Sequence, residues 1–229
     1  MKRVGRVVAP GSILPRGFFD NASTEVAPAL LGTVIEHQTA DGAVAIRLTE
    51  VEAYRGELDP ASHAYRGRTQ RNSVMYGAPG HVYVYFTYGM HFCANLVCEG
   101  PGTASAVLLR AGEVIDGVEL ASLRRRGAVA RDLARGPARL VVALGLGRDD
   151  NGRDACDPRS TLRIRAGQPV AKATVRQGPR VGVAAAAEVA WRFWLDGEPT
   201  VSTYRPRVAK RRSANPSAPP APGTQGFQP

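Results

Sequence analysis

Apolar and polar positions alternate with a period of two through most of the patterned segments, and turn residues separate those segments. TVIEHQTADGAVAIRLTEVEAY (33–54) predicts a β-hairpin with Asp41-Gly42 at its turn. HVYVYFTYGMHFCANLVC (81–98) predicts a second, turning at Thr87-Tyr88-Gly89-Met90. ASAVLLRA (104–111), TLRIRAG (161–167), RVGV (180–183) and WRFWLDGEPTVS (191–202) read as further strands, the last with an Asp-Gly turn. Helical patterns cover DNASTEVAPALL (20–31), ended by Gly32, and VIDGVELASLRRR (114–126). A third covers RDLARGPARLVVALGL (131–146), where Gly136-Pro137 marks the start. Strands separated by turns rather than by regular crossover helices predict an α+β fold. The expected architecture is a single domain with a curved antiparallel or mixed β core, flanking helices and a protruding hairpin.

The 229 residues suit one domain over 18–204, after a flexible lead (1–17) and before a disordered, basic, Pro/Ala-rich tail (205–229). The net charge of +10 points to a polyanionic partner, nucleic acid before membrane, although five of those charges lie in the tail. An acid-free run from Arg159 through Arg163, Arg165, Lys172 and Arg176 to Arg180 reads as a solvated basic face. No segment has the apolar length of a signal peptide or a membrane span, so a cytoplasmic protein is expected. Cys93, Cys98 and Cys156 form no CxxC pair and no metal-ligand spacing, and are expected to be reduced and structural.

The same patterns single out residues for chemistry. Alternation along β-like AIRLTEVEAY puts Ile46, Leu48, Glu50, Glu52 and Tyr54 on one face. Glu52 there is either a functional carboxylate or a residue beyond the core edge, in water or paired with an arginine. In the second hairpin Tyr83 and Tyr85 share a face opposite Val82, Val84 and Phe86, with Tyr83 open between core packing and support of a site. Phe92, Ala94, Leu96 and Cys98 make an apolar face, so Asn95 points away from the core; Phe86 and Phe92 are expected to be core. Tyr88 falls at the tip, where an exposed aromatic marks a contact. Arg110 closes a strand of small and apolar same-face neighbours, either as a guanidinium at the rim of a site or as a solvated strand end. His63 is a lone loop histidine with no partner set for a metal.

The block TEVEAYRGELDPASHAYRGRTQRNSVMYGAPGHVYVYFTYGMHFCANLVCEG, followed by AVLLRA, RGPARL and RVGV, closely resembles the alkyladenine (3-methyladenine) DNA glycosylase family, the human-type enzymes and their bacterial relatives. The joint match of E-A-Y, a His eleven residues after that Glu, Y-V-Y-x-x-Y-G-M, the following Asn and L-L-R is specific, and the similarity runs from about Phe18 to Ser202. The resemblance implies that Glu52 is the general base, with Arg110 and the backbone carbonyl of Val181 helping to hold the attacking water. It implies that Tyr54, His63 and Tyr85 sandwich an extruded base and that Asn95 floors the pocket. Tyr88 matches the wedge that enters the minor groove, which the hairpin would deliver. Thr69, Arg71, Asn72, Met90 and Arg139 match DNA-backbone-binding positions, the first three in a loop one residue shorter than in the human form.

Such chemistry suits these residues. Alkylation makes a purine cationic and a good leaving group, so electron-rich rings select it and one carboxylate activates water. The expected activity is monofunctional base-excision repair: hydrolysis of the N-glycosidic bond of 3-methyladenine and 7-methylguanine, with hypoxanthine and ethenoadenine as further candidates, leaving an abasic site. No cofactor, metal or lyase activity is expected, and the partner is double-stranded DNA with alkylated purines, bound by a monomer. The alternatives are a catalytically weak or inactive damaged-DNA-binding member of the family, and an RNA-binding module with stacked aromatics.

Overall fold

The two hairpins anticipated from the alternation form the spine of the sheet. In this computed structural model, residues 8–87 and 89–205 are described. The first hairpin pairs β1 (Val34–Thr39) with β2 (Gly42–Tyr54); Thr39 faces Gly42, so the loop is Ala40-Asp41, one residue earlier than expected. The second pairs β3 (Val82–Thr87) with β4 (His91–Val97), and Gly89 at its tip has φ of +67°, a left-handed conformation that disfavours a side chain. Then come β5 (Ala106–Asp116), β6 (Leu162–Arg165), β7 (Val175–Gly178) and β8 (Arg192–Leu195). All pair antiparallel in one eight-stranded sheet of order β3-β4-β5-β2-β1-β6, with β8 joining β2 beside Glu50–Glu52 and β7 beyond it.

Among the described residues four α-helices complete the α+β fold: α1 (Arg16–Phe19), α2 (Ser23–Leu30), α3 (Val118–Arg124) and α4 (Pro137–Leu144). α4 starts at the anticipated Gly136-Pro137, where Gly136 has φ of +121° and Pro137 needs no N–H partner. α3 is shorter than its sequence pattern, because residues 114–116 continue β5. The main core lies between these helices and one face of the sheet, where Leu30, Leu140 and Leu144 meet Ile35, Leu48, Leu96 and Leu109. Each such fully buried aliphatic contributes about 1.5–3 kcal/mol. A smaller cluster of Met75, Tyr76, Tyr83, Ala104 and Ala106 occupies the opposite face. Residues 11–14, expected within a flexible lead, bond along β6 through Gly11 N–H to Ala166 O and Leu14 N–H to Ile164 O. Of the expected disordered tail, only Arg205 lies within the described residues.

Two bulges correct the alternation that the sequence suggested for β2. Leu48 pairs with Gly112 and Glu50 with Ala111, which makes Thr49 an extra residue on β2. Val51 then pairs with Leu109, which makes Arg110 the extra residue on β5. The face therefore switches: Ile46 and Leu48 share the helix side with Val51 and Ala53, not with Glu50, Glu52 and Tyr54. Three polar side chains turn to the far face, where the second cluster and a cavity lie.

Candidate active site

Glu52 is fully buried on that far face, and three donors converge on its carboxylate. The Tyr54 hydroxyl donates to Oε2 at 2.8 Å, the Val181 N–H donates to Oε1 at 2.7 Å, and Arg110 Nη1 stands 3.2 Å from Oε1. Of the two bland readings, water is thus excluded and pairing with an arginine is observed. Val181 meets the carboxylate with its N–H, a contact different from the carbonyl role that the resemblance implied. Burial first, and then the charge and hydrogen bond of Glu52, push the Tyr54 phenol well above its ordinary pKa, so it stays a donor. Arg110 does not end its strand as expected; it sits mid-way along β5, buried at its bulge.

A cavity of about 380 Å³ opens beside these groups, lined by Tyr54, His63, Tyr85, Cys93, Asn95, Leu108, Arg110 and the 181–185 loop among others. That volume falls within the range of small-molecule pockets, roughly 300–1000 Å³. The structure therefore brings Tyr54, His63, Tyr85, Asn95, Arg110 and Val181 to one place. The His63 ring meets Tyr85 edge-on at 4.5 Å, and Tyr83 stacks behind Tyr85 at 5.3 Å. Tyr83 is fully buried, with its hydroxyl 3.4 Å from His63 Nδ1, which resolves its role as packing that braces the wall. His63 keeps an exposed edge, yet partial desolvation first, and then the charge of Arg71, hold it below its ordinary pKa. Asn95 is 5% exposed and its Oδ1 has no hydrogen-bond partner. An orphaned buried acceptor facing a cavity suits a ligand that donates.

Several residues at the site carried no sequence signal that singled them out. Glu50 accepts from Arg110 Nε (2.8 Å), Arg192 Nε (2.7 Å) and both the N–H and the hydroxyl of Ser202. Burial opposes its ionisation, but the Arg110 and Arg192 charges overcome this and hold its carboxyl below the ordinary range. Arg180, expected on a solvated basic face, is 1% exposed. It grips Asp59 with two bonds of 2.6 and 2.9 Å, donates to the Ala53 carbonyl, and lies over the Tyr54 and Trp191 rings at 4.6 and 5.2 Å. RVGV is accordingly a loop, not the expected strand. Its neighbour Asp59 in ELDPAS and the spacing of Glu50 from Glu52 were the available clues.

The other anticipated residues lie around the cavity rather than in it. Thr69 and Arg71 are exposed, with Arg71 Nη2 donating to the Phe86 carbonyl. Asn72 is 2% exposed, and its amide bonds the backbone of Thr69, His63 and Gly67, so its side chain organises the loop. Arg139 is exposed on α4, two residues after Pro137 at the cavity. Met90 is 70% and Phe86 41% exposed on the hairpin; Phe86 is therefore not core, although it touches the half-buried Phe92. Tyr88 lies outside the described residues. Among the described residues no group of three His, Cys, Asp or Glu side chains is placed to hold a metal, and no helix is long and apolar enough to cross a membrane.

Comparison with known proteins accounts for this arrangement. The family model for methylpurine-DNA glycosylase matches residues 17–199. A Streptomyces avermitilis protein provisionally named 3-methyladenine DNA glycosylase is 56% identical over 202 residues, 87% of this chain and 95% of the relative. A Leifsonia xyli protein of the same provisional name is 55% identical over 83% of this chain and 92% of its own. A third, from Burkholderia orbicola, is 46% identical over 87% and 95%. A match spanning the whole sheet, the cavity and the carboxylate places the chain among DNA glycosylases: it belongs to the methylpurine-DNA glycosylase family.

Proposed function

We propose that the cavity receives one alkylated purine extruded from duplex DNA, and that Glu52 activates the water that hydrolyses its N-glycosidic bond. The observation that carries this reading is a fully buried carboxylate, bonded to Tyr54, Val181 and Arg110, beside an aromatic cavity of base-sized scale. Water oxygen bonds to the anomeric carbon as the carbon–nitrogen bond breaks. The base leaves with the electron pair, and the water proton passes to Glu52. The carboxylate also faces the positive charge that develops on the sugar. Arg110, at the cavity, orients that water with the Val181 backbone.

Tyr54, His63 and Tyr85 hold the base, and a cationic methylpurine gains about 0.5–2 kcal/mol from each electron-rich face. Arg180 already lies over Tyr54 and does not line the cavity, so Tyr85 is the freer ring for that attraction. Asn95 screens the purine edge through its open Oδ1. Extrusion costs a few kcal/mol, and the β3–β4 tip, with Tyr88 as wedge and exposed Met90 beside it, offsets part of this in the minor groove. Thr69, Arg71 and Arg139 meet the DNA backbone, and Asn72 holds the loop that presents them. The enzyme acts as a monomer, needs no cofactor, and leaves an abasic site without cutting the strand.

Single-turnover base release from duplexes carrying 3-methyladenine, 7-methylguanine, hypoxanthine or ethenoadenine tests the reading. Wild type releases the charged methylpurines, and Glu52→Gln slows release by about 10²–10⁴-fold. Release at the wild-type rate removes Glu52 as the base. A wild type that binds damaged duplex and frees none of the four lesions is a binding protein instead.

A further inference from the structure

Glu50 is as deeply buried as Glu52, shares its face of β2, and does not line the cavity. Nothing reacts there, yet four donors converge on it from three parts of the chain: Arg110 on β5, Arg192 on β8, and the N–H (2.6 Å) and hydroxyl (2.9 Å) of Ser202 in the segment after β8. Ser202 Oγ also stands 3.4 Å from Arg110 Nη2, and Arg192 Nη2 donates back to the Ser202 carbonyl at 2.9 Å. Arg110 spans both carboxylates, with Nε on Glu50 at 2.8 Å and Nη1 at 3.2 Å from Glu52. Two carboxylates and two guanidiniums thus form one buried, charge-balanced set in which Arg110 lines the cavity and Glu52 lies directly behind its lining residues Tyr54, Arg110 and Val181.

The lengths of those contacts matter. A guanidinium freed from Glu50 is drawn onto Glu52 as a two-pronged pair, the geometry that arginine and carboxylate favour. That closure ties up the oxygens that must take a proton from water, and turns Arg110 away from the cavity. We propose that Glu50 is a positioning residue for base release: it holds Arg110 by the Nε edge so that Glu52 is shared rather than capped, and Ser202 and Arg192 lock Glu50 in place. This role rests on the reading of Glu52 as the base.

The groups around Glu52 define what a change at Glu50 alters. Tyr54 stands on β2, Arg110 on β5, Tyr85 and Cys93 on the β3–β4 hairpin, and Arg180 on the loop after β7. Behind them lie Glu50, Arg192 and Asp59. Glu50 and Asp59 are the only like charges in this set, and Asp59 is already consumed by Arg180.

The test is the pH profile of single-turnover release, on the lesion that wild type releases fastest. Glu50→Gln slows release about ten-fold or more and moves the acid limb about one pH unit lower, because Arg110 then faces Glu52 alone. Glu50→Asp retains the charge and leaves the limb in place at a reduced rate. Ser202→Ala keeps the amide bond and the charge; it slows release a few-fold at saturating enzyme with the DNA half-saturation point and the limb unmoved. A folded Glu50→Gln protein whose limb coincides with wild type overturns the proposal. Should that variant fail to fold, Ser202→Ala decides: release at the wild-type rate overturns the role, slower release at unchanged DNA affinity supports it. A wild type that releases no base removes the reaction and this role together, whereas an active wild type beside an unmoved limb removes this role alone.

Discussion

Arg180 occupies a position that a charged side chain rarely takes, with 1% exposure. Its partner Asp59 is fully buried too, and also accepts the N–H groups of Arg55 (3.2 Å) and Ala61 (3.0 Å), so one carboxylate folds the turn after β2 and anchors the loop that delivers Val181. Removing one charge of such a pair leaves the other stranded, a loss of about 3–5 kcal/mol. Asp59→Asn is therefore expected to lower the unfolding free energy by about that much, seen as a lower denaturant midpoint at unchanged slope. An unfolding free energy within about 1 kcal/mol of wild type would mean that the pair adds nothing net. Residues of this kind explain why legibility was uneven at this scale. Glu52 stood out because a carboxylate recurred among apolar alternating positions, and Tyr54, His63, Tyr85 and Asn95 because the motif named them. Arg180 did not, since a run of arginines reads the same whether they face water or an aspartate 121 residues away.

The bulges in the β2–β5 ladder decide which face of the sheet is chemical. Period-two alternation placed Glu50, Glu52 and Tyr54 with Ile46 and Leu48, and the extra residue Thr49 separates them. Both hairpins and the start of α4 were legible, because Asp-Gly, Tyr-Gly-Met and Gly-Pro are local signals of local geometry. A bulge is set by pairing with a distant strand, and Thr49 carries no such mark. One sign was present on the other strand: a Cβ at Gly112 meets the Arg47 carbonyl oxygen at 2.4 Å, so a glycine inside an otherwise apolar strand recorded a close backbone approach. Were Thr49 paired as an ordinary ladder residue instead of bulged, the alternation would run on unbroken and Glu50, Glu52 and Tyr54 would point into the helix-side core. Burying two carboxylates there away from Arg110 and Arg192 far exceeds the stability of a domain. Deletion of Thr49 removes the extra residue while leaving Leu48 and Val51 on the helix side and Glu50 and Glu52 on the far face, so a cooperative thermal transition is expected to persist, as followed by circular dichroism. Loss of the cooperative transition in that variant would show that the fold needs the bulge itself and not only the facing it sets.

Charge is distributed over the whole molecule in a way that no single element reveals. Away from the cavity, acids neutralise several arginines: Glu36 takes Arg163 and Arg165 at 2.6 Å each, Arg47 meets Glu113 and Glu198, and Arg176 meets Asp196. The basic run that looked like a solvated face is thus largely paired. Near the cavity, exposed Arg71 and Arg139 have no carboxylate partner among the described residues. Arg124 and Arg125 at the end of α3 bond backbone carbonyls and a threonine rather than carboxylates, so unpaired charge is spread over more than one face, and four further basic residues follow Arg205. Truncation after Arg205 removes Arg207, Lys210, Arg211 and Arg212 and lowers the net charge from +10 to +6. If those four side chains meet phosphates, each contributes to the release of bound counterions, and the slope of log affinity against log salt becomes shallower by up to about 3–4. Fluorescence anisotropy on undamaged duplex between about 50 and 200 mM salt measures that slope directly. The rate of base release at saturating enzyme is expected to stay at the wild-type value, because the cavity, Glu52 and the Arg110 network all lie before the truncation point. An unchanged slope removes the C-terminal charges from the DNA contact. A slower release at saturation places part of the catalytic machinery beyond residue 205.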